Sequence, residues 1–197
     1  MIEEFNMVIV GVGGQGVLTL QNIIADAALK QGYDVKTSEL HGLAQRGGHI
    51  PSHIKFGKKI YSSLVLEGKA NLVIGLEPLE ALRACRFGSK ENKTVFIIDN
   101  NRITPMSVTI LNQKYPSVKE IKNILEKSSS KVFILNATEI AKKAVGTTAP
   151  ANVYLLGYAY HKKLIPIKKQ HLLEAIKETV PEKYFEMNKK IFELPSK

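Results

Sequence analysis

The sequence predicts an α/β fold, a Rossmann-like doubly wound sheet with a β-hairpin insertion and a helical C-terminal segment, across a single unit of residues 1–197. Three observations predict it. A short apolar run, Asn6 to Val10, stops at glycine and is followed by apolar residues at helical spacing. Strand-like and helix-like runs then alternate as far as Leu135. Beyond Asn136 the pattern is helical throughout.

The elements follow in order. Asn6 to Val10 reads as a buried parallel strand, apolar without alternation. From Gln15 to Lys30 the residues Val17, Leu20, Ile24, Ala27 and Ala28 recur at helical spacing, and Gly32 ends the segment. Asp34 to Ser38 gives a second strand, completing a β–α–β unit whose crossover is expected to be right-handed. Ser52 to Phe56 and Ile60 to Val65 are β-like runs separated by Gly57, Lys58 and Lys59, and are expected to pair as the hairpin. Leu72 to Leu76 is a strand, and Pro78 opens a short helix through Ala84. Thr94 to Asp99 and Lys131 to Leu135 are strands, with the helix Ser117 to Lys127 between them. Helices are expected over Thr138 to Val145, Asn152 to Lys163, His171 to Thr179 and Pro181 to Phe192.

Bulk properties bound the function. The chain has 197 residues, 44% apolar and 23% charged, which is ordinary for a soluble protein. No apolar run is long enough to cross a bilayer, and Glu3 and Glu4 stand where a signal peptide would be basic. The expected location is cytoplasmic, with no membrane partner. The only cysteine is Cys85, so neither a disulfide within the chain nor a four-cysteine iron–sulfur cluster can form. The net charge is +10, and it is uneven. Residues 1–100 carry 11 basic against 10 acidic side chains, and residues 101–197 carry 17 against 8. Only four of the 28 basic residues are arginine. The C-terminal half is therefore read first as a solvated lysine-rich surface. A nucleic-acid module ranks last, because no aromatic–basic interleaving supports it, and no nucleic-acid partner is expected.

Gly11-Val12-Gly13-Gly14-Gln15-Gly16 satisfies G-x-G-x-x-G between a predicted strand and a predicted helix. Such glycines make a tight turn, let backbone approach a ligand and allow close helix–strand packing. The helix start beyond them favours an anion. Glu39, at the end of the second strand, stands where a dinucleotide fold holds ribose hydroxyls, so a stand-alone NAD-binding oxidoreductase is one reading. In the other, the glycines only make the turn or admit another protein's backbone. The motif by itself leaves the two open.

A second glycine-rich loop follows the second strand: His41-Gly42-Leu43-Ala44-Gln45-Arg46-Gly47-Gly48-His49. It is expected at the same sheet edge as the first. Arg46 offers a planar fork for a carboxylate or phosphate, beside the exposed backbone of Gly47 and Gly48. Together the two loops suggest an anion-binding or partner-binding rim.

Three ordered motifs add a resemblance over nearly the whole chain. Gly-Val-Gly-Gly-Gln-Gly-Val at 11–17, Gln-Arg-Gly-Gly at 45–48 and Gly-Leu-Glu-Pro-Leu-Glu-Ala at 75–81 resemble the gamma-type subunit of 2-oxoacid:ferredoxin oxidoreductases. The last two look most like the indolepyruvate branch, in its beta subunit, and Asn152 to Gly157 is similar to a further family segment. Ala44 and Asn71 depart from the serine and aspartate expected there. The resemblance implies an enzyme that converts a 2-oxoacid, coenzyme A and oxidised ferredoxin into acyl-CoA, carbon dioxide and reduced ferredoxin. It implies thiamine diphosphate and iron–sulfur clusters on a larger partner subunit, and this chain lacks both cluster cysteines and the Gly-Asp-Gly…Asn thiamine signature. The chain itself is then expected to be non-catalytic, buttressing that partner and helping to form the coenzyme A site. Its candidate residues are Gly11, Gly13, Gly14, Gln15, Gly16, Glu39, Gln45, Arg46, Gly47 and Gly48.

Other constellations carry less. His41, His49 and His53 invite a metal, but Pro51 intervenes and no carboxylate pattern completes a site. Cys85 reads as an inert core thiol within a helix. Glu77 and Glu80, on either side of Pro78, suit the first turn of a helix better than acid–base work.

Overall fold

The computed structural model describes residues 2–39, 48–105, 108 and 114–196. Among the described residues six strands form one sheet, in the order β2-β3-β1-β4-β5-β6. β1 (Glu4–Val12), β4 (Leu72–Gly75), β5 (Val95–Asp99) and β6 (Lys131–Leu135) are mutually parallel. β3 (His49–Gly57) runs antiparallel to both β1 and β2 (Asp34–Glu39).

The hairpin is present, but its members differ from the expected pair. Ser52 to Phe56 lies in β3, whose mate is β2, with Val35 opposite Phe56 and Glu39 opposite Ser52. Ile60 to Val65 is not a strand. The cause is topological. β3 lies between β2 and β1, so both of its hydrogen-bonding edges are filled and no edge remains for another strand. Ile60 and Val65 are buried while Tyr61 and Leu64 are exposed, so what resembles strand alternation is a loop pinned at two points.

The alternation of side chains along β1 divides the core between the two faces of the sheet. Met7 and Ile9 join a cluster with α1 (Val17–Lys30) and four C-terminal helices: α4 (Ala137–Val145), α5 (Ala151–His161), α6 (Lys169–Thr179) and α7 (Phe185–Glu193). Val8 and Val10 join a second cluster with α2 (Pro78–Arg83), the 3-10 turn Ala84–Phe87 and α3 (Val118–Leu125). α5 is buried at seven of its eleven positions, because it is covered by α4 and α7 as well as by the sheet side. Cys85 is half-buried in the 3-10 turn, packed against the second cluster, rather than inside a helix.

Candidate functional site

From β1 the chain passes through α1 toward β2, and from β4 it passes through α2 toward β5, on the other side of β1. The connections diverge at the C-terminal ends of these two neighbours, which leaves the crevice where open α/β sheets bind ligands. Residues 11–16 fill that crevice.

Three tethers hold the loop, each to a different part of the chain. Gln15 Oε1 accepts from the Val12 amide at 2.8 Å, and Gln15 Nε2 donates to the Leu76 carbonyl, also at 2.8 Å, just past β4. The Gly13 amide donates to the Gly48 carbonyl at 3.0 Å, at the start of β3. Asn152 Nδ2, on α5, donates to the Gly16 carbonyl at 3.0 Å. Gly11 is buried at the strand end. Gly14 has φ +103°, and a Cβ built there would meet nothing within 4 Å. Gly16 has φ +79° and caps α1 without a side-chain hydrogen bond, and the first turn of α1 holds no acidic residue. The positive end of the helix is therefore not neutralised by a carboxylate in its own first turn.

Two cavities meet at this loop. One, of about 510 Å³, is mainly apolar, with Val153, Val180, Pro181 and Met187 facing Gly16 and Thr19. The other, of about 360 Å³, is more polar, with Asp99, Asn101, Thr138 and Thr148 facing Gly13. Gly14, Gln15, Ala149 and Asn152 line both, so the open glycine stands on the ridge between them. Asp99, at the end of β5, is buried; it accepts from the Thr138 amide at 3.2 Å and from the Thr138 hydroxyl. Burial pushes its carboxyl above the usual range, and the Thr138 hydrogen bonds oppose that shift.

The neighbouring carboxylates are structural, as expected from Pro78. Glu77 caps α2 by accepting from the Glu80 amide at 2.9 Å, and it also accepts from the Tyr115 hydroxyl. Burial, then Glu77, raises the Tyr115 phenol well above its ordinary value. Glu80 is buried between His49 Nδ1 and Arg83 Nη1, the latter at 2.7 Å. No group of three metal-ligating side chains converges among the described residues.

Sequence reasoning placed Gly48 correctly beside the first loop in space. Gln45, Arg46 and Gly47 lie outside the described residues. Glu39 is held by Gln21 Nε2 at 2.7 Å, and it is not part of the lining of either cavity at the glycine loop. The inserted β3 adds a strand spacing of about 4.8 Å between β1 and β2, where a dinucleotide fold needs them adjacent. That geometry disfavours the NAD reading. Asn152 and Asp99 were missed as site residues. The signal for Asp99 was a lone acid ending an apolar strand. Asn152 lay in a quoted motif, but nothing local showed that it would reach Gly16.

A model of the pyruvate ferredoxin/flavodoxin oxidoreductase family matches residues 6–195. The chain belongs to this family. Within it, the chain is 42% identical over 191 residues to the indolepyruvate oxidoreductase subunit IorB of Archaeoglobus fulgidus, covering 97% of this chain and 93% of the relative. The gamma subunit of a keto/oxoacid ferredoxin oxidoreductase from Geobacter sulfurreducens has the same fold, with a TM-score of 0.69 at 20% identity and coverage of 98% and 96%. So does part of a 2-oxoglutarate:ferredoxin oxidoreductase from Magnetococcus marinus, solved with 2-oxoglutarate, coenzyme A and succinyl-CoA bound. There the TM-score is 0.69 at 15% identity, over 98% of this chain but 30% of that one. The resemblance read from three motifs is thus confirmed, and the protein is an accessory subunit of the 2-oxoacid:ferredoxin oxidoreductase class. No helix among the described residues is long and apolar enough to cross a membrane.

Proposed function

We propose that the chain, acting as one unit over residues 1–197 in the cytoplasm, serves a coenzyme A-acylating oxidoreductase of indolepyruvate or a similar arylpyruvate. It buttresses a larger thiamine diphosphate-bearing subunit and helps to form the coenzyme A site. The observation that carries this reading is the glycine loop, rigidly tethered yet open at Gly14, between an apolar and a polar cavity. The 42% identity to an indolepyruvate oxidoreductase subunit supports the substrate class. The fold shared with an enzyme solved with coenzyme A bound supports the ligand.

The residues present do not fit the other two groups of the reaction. One cysteine cannot replace the four thiolates of a cluster, and the sequence has no thiamine diphosphate signature. Both belong, in this reading, to the larger subunit, which passes electrons to ferredoxin. Coenzyme A does fit. Its phosphates suit the start of α1, which has no side-chain cap, and its apolar stretches suit the cavity wall at Val153 and Met187; the sequence offers the guanidinium of Arg46 as a further phosphate partner. When bound, coenzyme A supplies the thiol that accepts the acyl group. The chain's own part is to bind and orient. Gln15 and Asn152 fix the backbone that faces the ligand, and the glycines let it approach closely.

Arg46→Ala in the reconstituted complex should raise KM for coenzyme A about tenfold, or weaken subunit association equally, with the fold intact. Steady-state kinetics with a viologen acceptor and a titration of the larger subunit would show it. Turnover of 2-oxoacid by this chain alone would overturn the reading.

A further inference from the structure

At the sheet edge opposite the glycine loop, the segment between β3 and β4 presents three large apolar side chains to solvent. Tyr61 is 81% exposed, Leu66 69% and Leu64 46%. These are the most concentrated exposed apolar residues among those described, and neither the fold nor the glycine-loop site uses them. The segment that carries them is firmly held. Its Ile60 and Val65 side chains are buried. The Ile60 amide donates to Asp34 Oδ2 at 2.8 Å and the Val65 amide to His53 Nδ1 at 3.2 Å. The Gly68 and Ala70 amides donate to the Arg86 and Phe87 carbonyls, both at 2.9 Å. Lys59 Nζ lies 5.1 Å from the Tyr61 ring centroid, within cation–π range. A preorganised apolar knob loses little conformational entropy on docking.

The surroundings say what it fits. Lys58, Lys59 and Lys69 are exposed around the knob. Beside Leu66 a groove of about 360 Å³ is walled by Lys55, Lys69, Asn71 and Asn92, with Glu4 paired to Lys55 at 3.3 Å. The only acid on the knob itself, Glu67, faces Arg86 at 3.9 Å. A second copy of this chain would bring like-charged lysines together at the rim, within a molecule already at +10. We infer that Tyr61, Leu64 and Leu66 dock into an apolar recess of the larger subunit whose rim is acidic, an acidic side chain entering the lysine groove. The two subunits would then meet at this edge as well as at the glycine loops. The inference rests on the accessory-subunit reading above.

The test measures the Kd between this chain and the larger subunit for wild type, the double variant Tyr61→Ser/Leu66→Ser, and Lys69→Glu. Exposed positions leave the isolated fold intact, and equal urea midpoints verify it. Each variant should raise Kd at least about tenfold, the charge reversal most at low salt. KM for coenzyme A at saturating subunit should stay at the wild-type value. Wild-type binding with both variants within about twofold of it overturns the docking surface alone. Self-association of the wild type that the double variant abolishes overturns it too, by putting a second copy there. A wild-type chain that does not bind the larger subunit overturns the accessory reading, and this inference with it.

Discussion

Gly14 and Gly16 share a left-handed backbone but differ in what surrounds them, and that difference separates two costs. At Gly14 a methyl group would meet open space, so Gly14→Ala costs backbone strain only, about 1–2 kcal/mol. At Gly16 the added Cβ would sit 2.6 Å from Asn152 Nδ2, the atom that donates to the Gly16 carbonyl. Gly16→Ala therefore adds loss or distortion of that hydrogen bond, about another 1 kcal/mol. Urea unfolding of the two variants should rank Gly16→Ala as the more destabilised. Equal losses would mean that Asn152 moves aside freely and does not hold the loop. Asn152 has a further consequence for binding. It lines both cavities while gripping the loop between them, so a ligand on either side feels the same amide.

At the scale of elements, α3 shows how local sequence sets a boundary. Ser117 accepts from the Glu120 amide at 3.2 Å while Glu120 accepts from the Ser117 amide at 2.7 Å, a complete capping box. Only Ile121 and Leu125 of this eight-residue helix are buried, so the cap matters to its position. Ser117→Ala should cost about 1 kcal/mol, seen as a lower urea midpoint with an unchanged slope. Elements with such local signals were legible in the sequence: every strand of the parallel set, and α1 to α7 each to within a few residues. The hairpin was not. Its pairing depends on which strand edges are already occupied, and Ile60 and Val65 carry the same apolar signature in a pinned loop as in a strand. The site was legible in the same measure. Glycine spacing marked the loop and its companion at Gly48, whereas Asn152 and Asp99 arrive through tertiary packing that no local window contains.

Across the whole molecule, the antiparallel β3 joins the expected βαβ unit to the surface opposite the glycine loops. Its strand begins at His49, bound to buried Glu80 near one edge, and passes through His53 toward the other. His53 is buried, edge-on to Phe87 with ring centroids 5.1 Å apart, and its Nδ1 accepts the Val65 amide. The neutral ring therefore carries its proton on Nε2, which has no hydrogen-bond partner among the described residues. Adding a proton at Nδ1 would break the bond to Val65 and place a charge in the core near Arg86, itself facing Glu67. Burial first, and Arg86 second, hold this imidazole below its usual value. The folded state thus binds this proton more weakly than the unfolded chain does. The stability contributed by neutral His53 is complete above the unfolded value of about 6.5 and is lost as pH falls from there through the lower folded value. Urea midpoints measured from pH 8 to pH 5 should fall for the wild type and fall less for His53→Gln, whose carbonyl can still accept the Val65 amide. Carboxylates titrating near the acid end affect both proteins alike, so the difference between the curves isolates His53. A difference that stays constant across this range would show that the proton is not linked to folding. It would also show that the pinned loop bearing Tyr61 and Leu66 is indifferent to the charge beneath it.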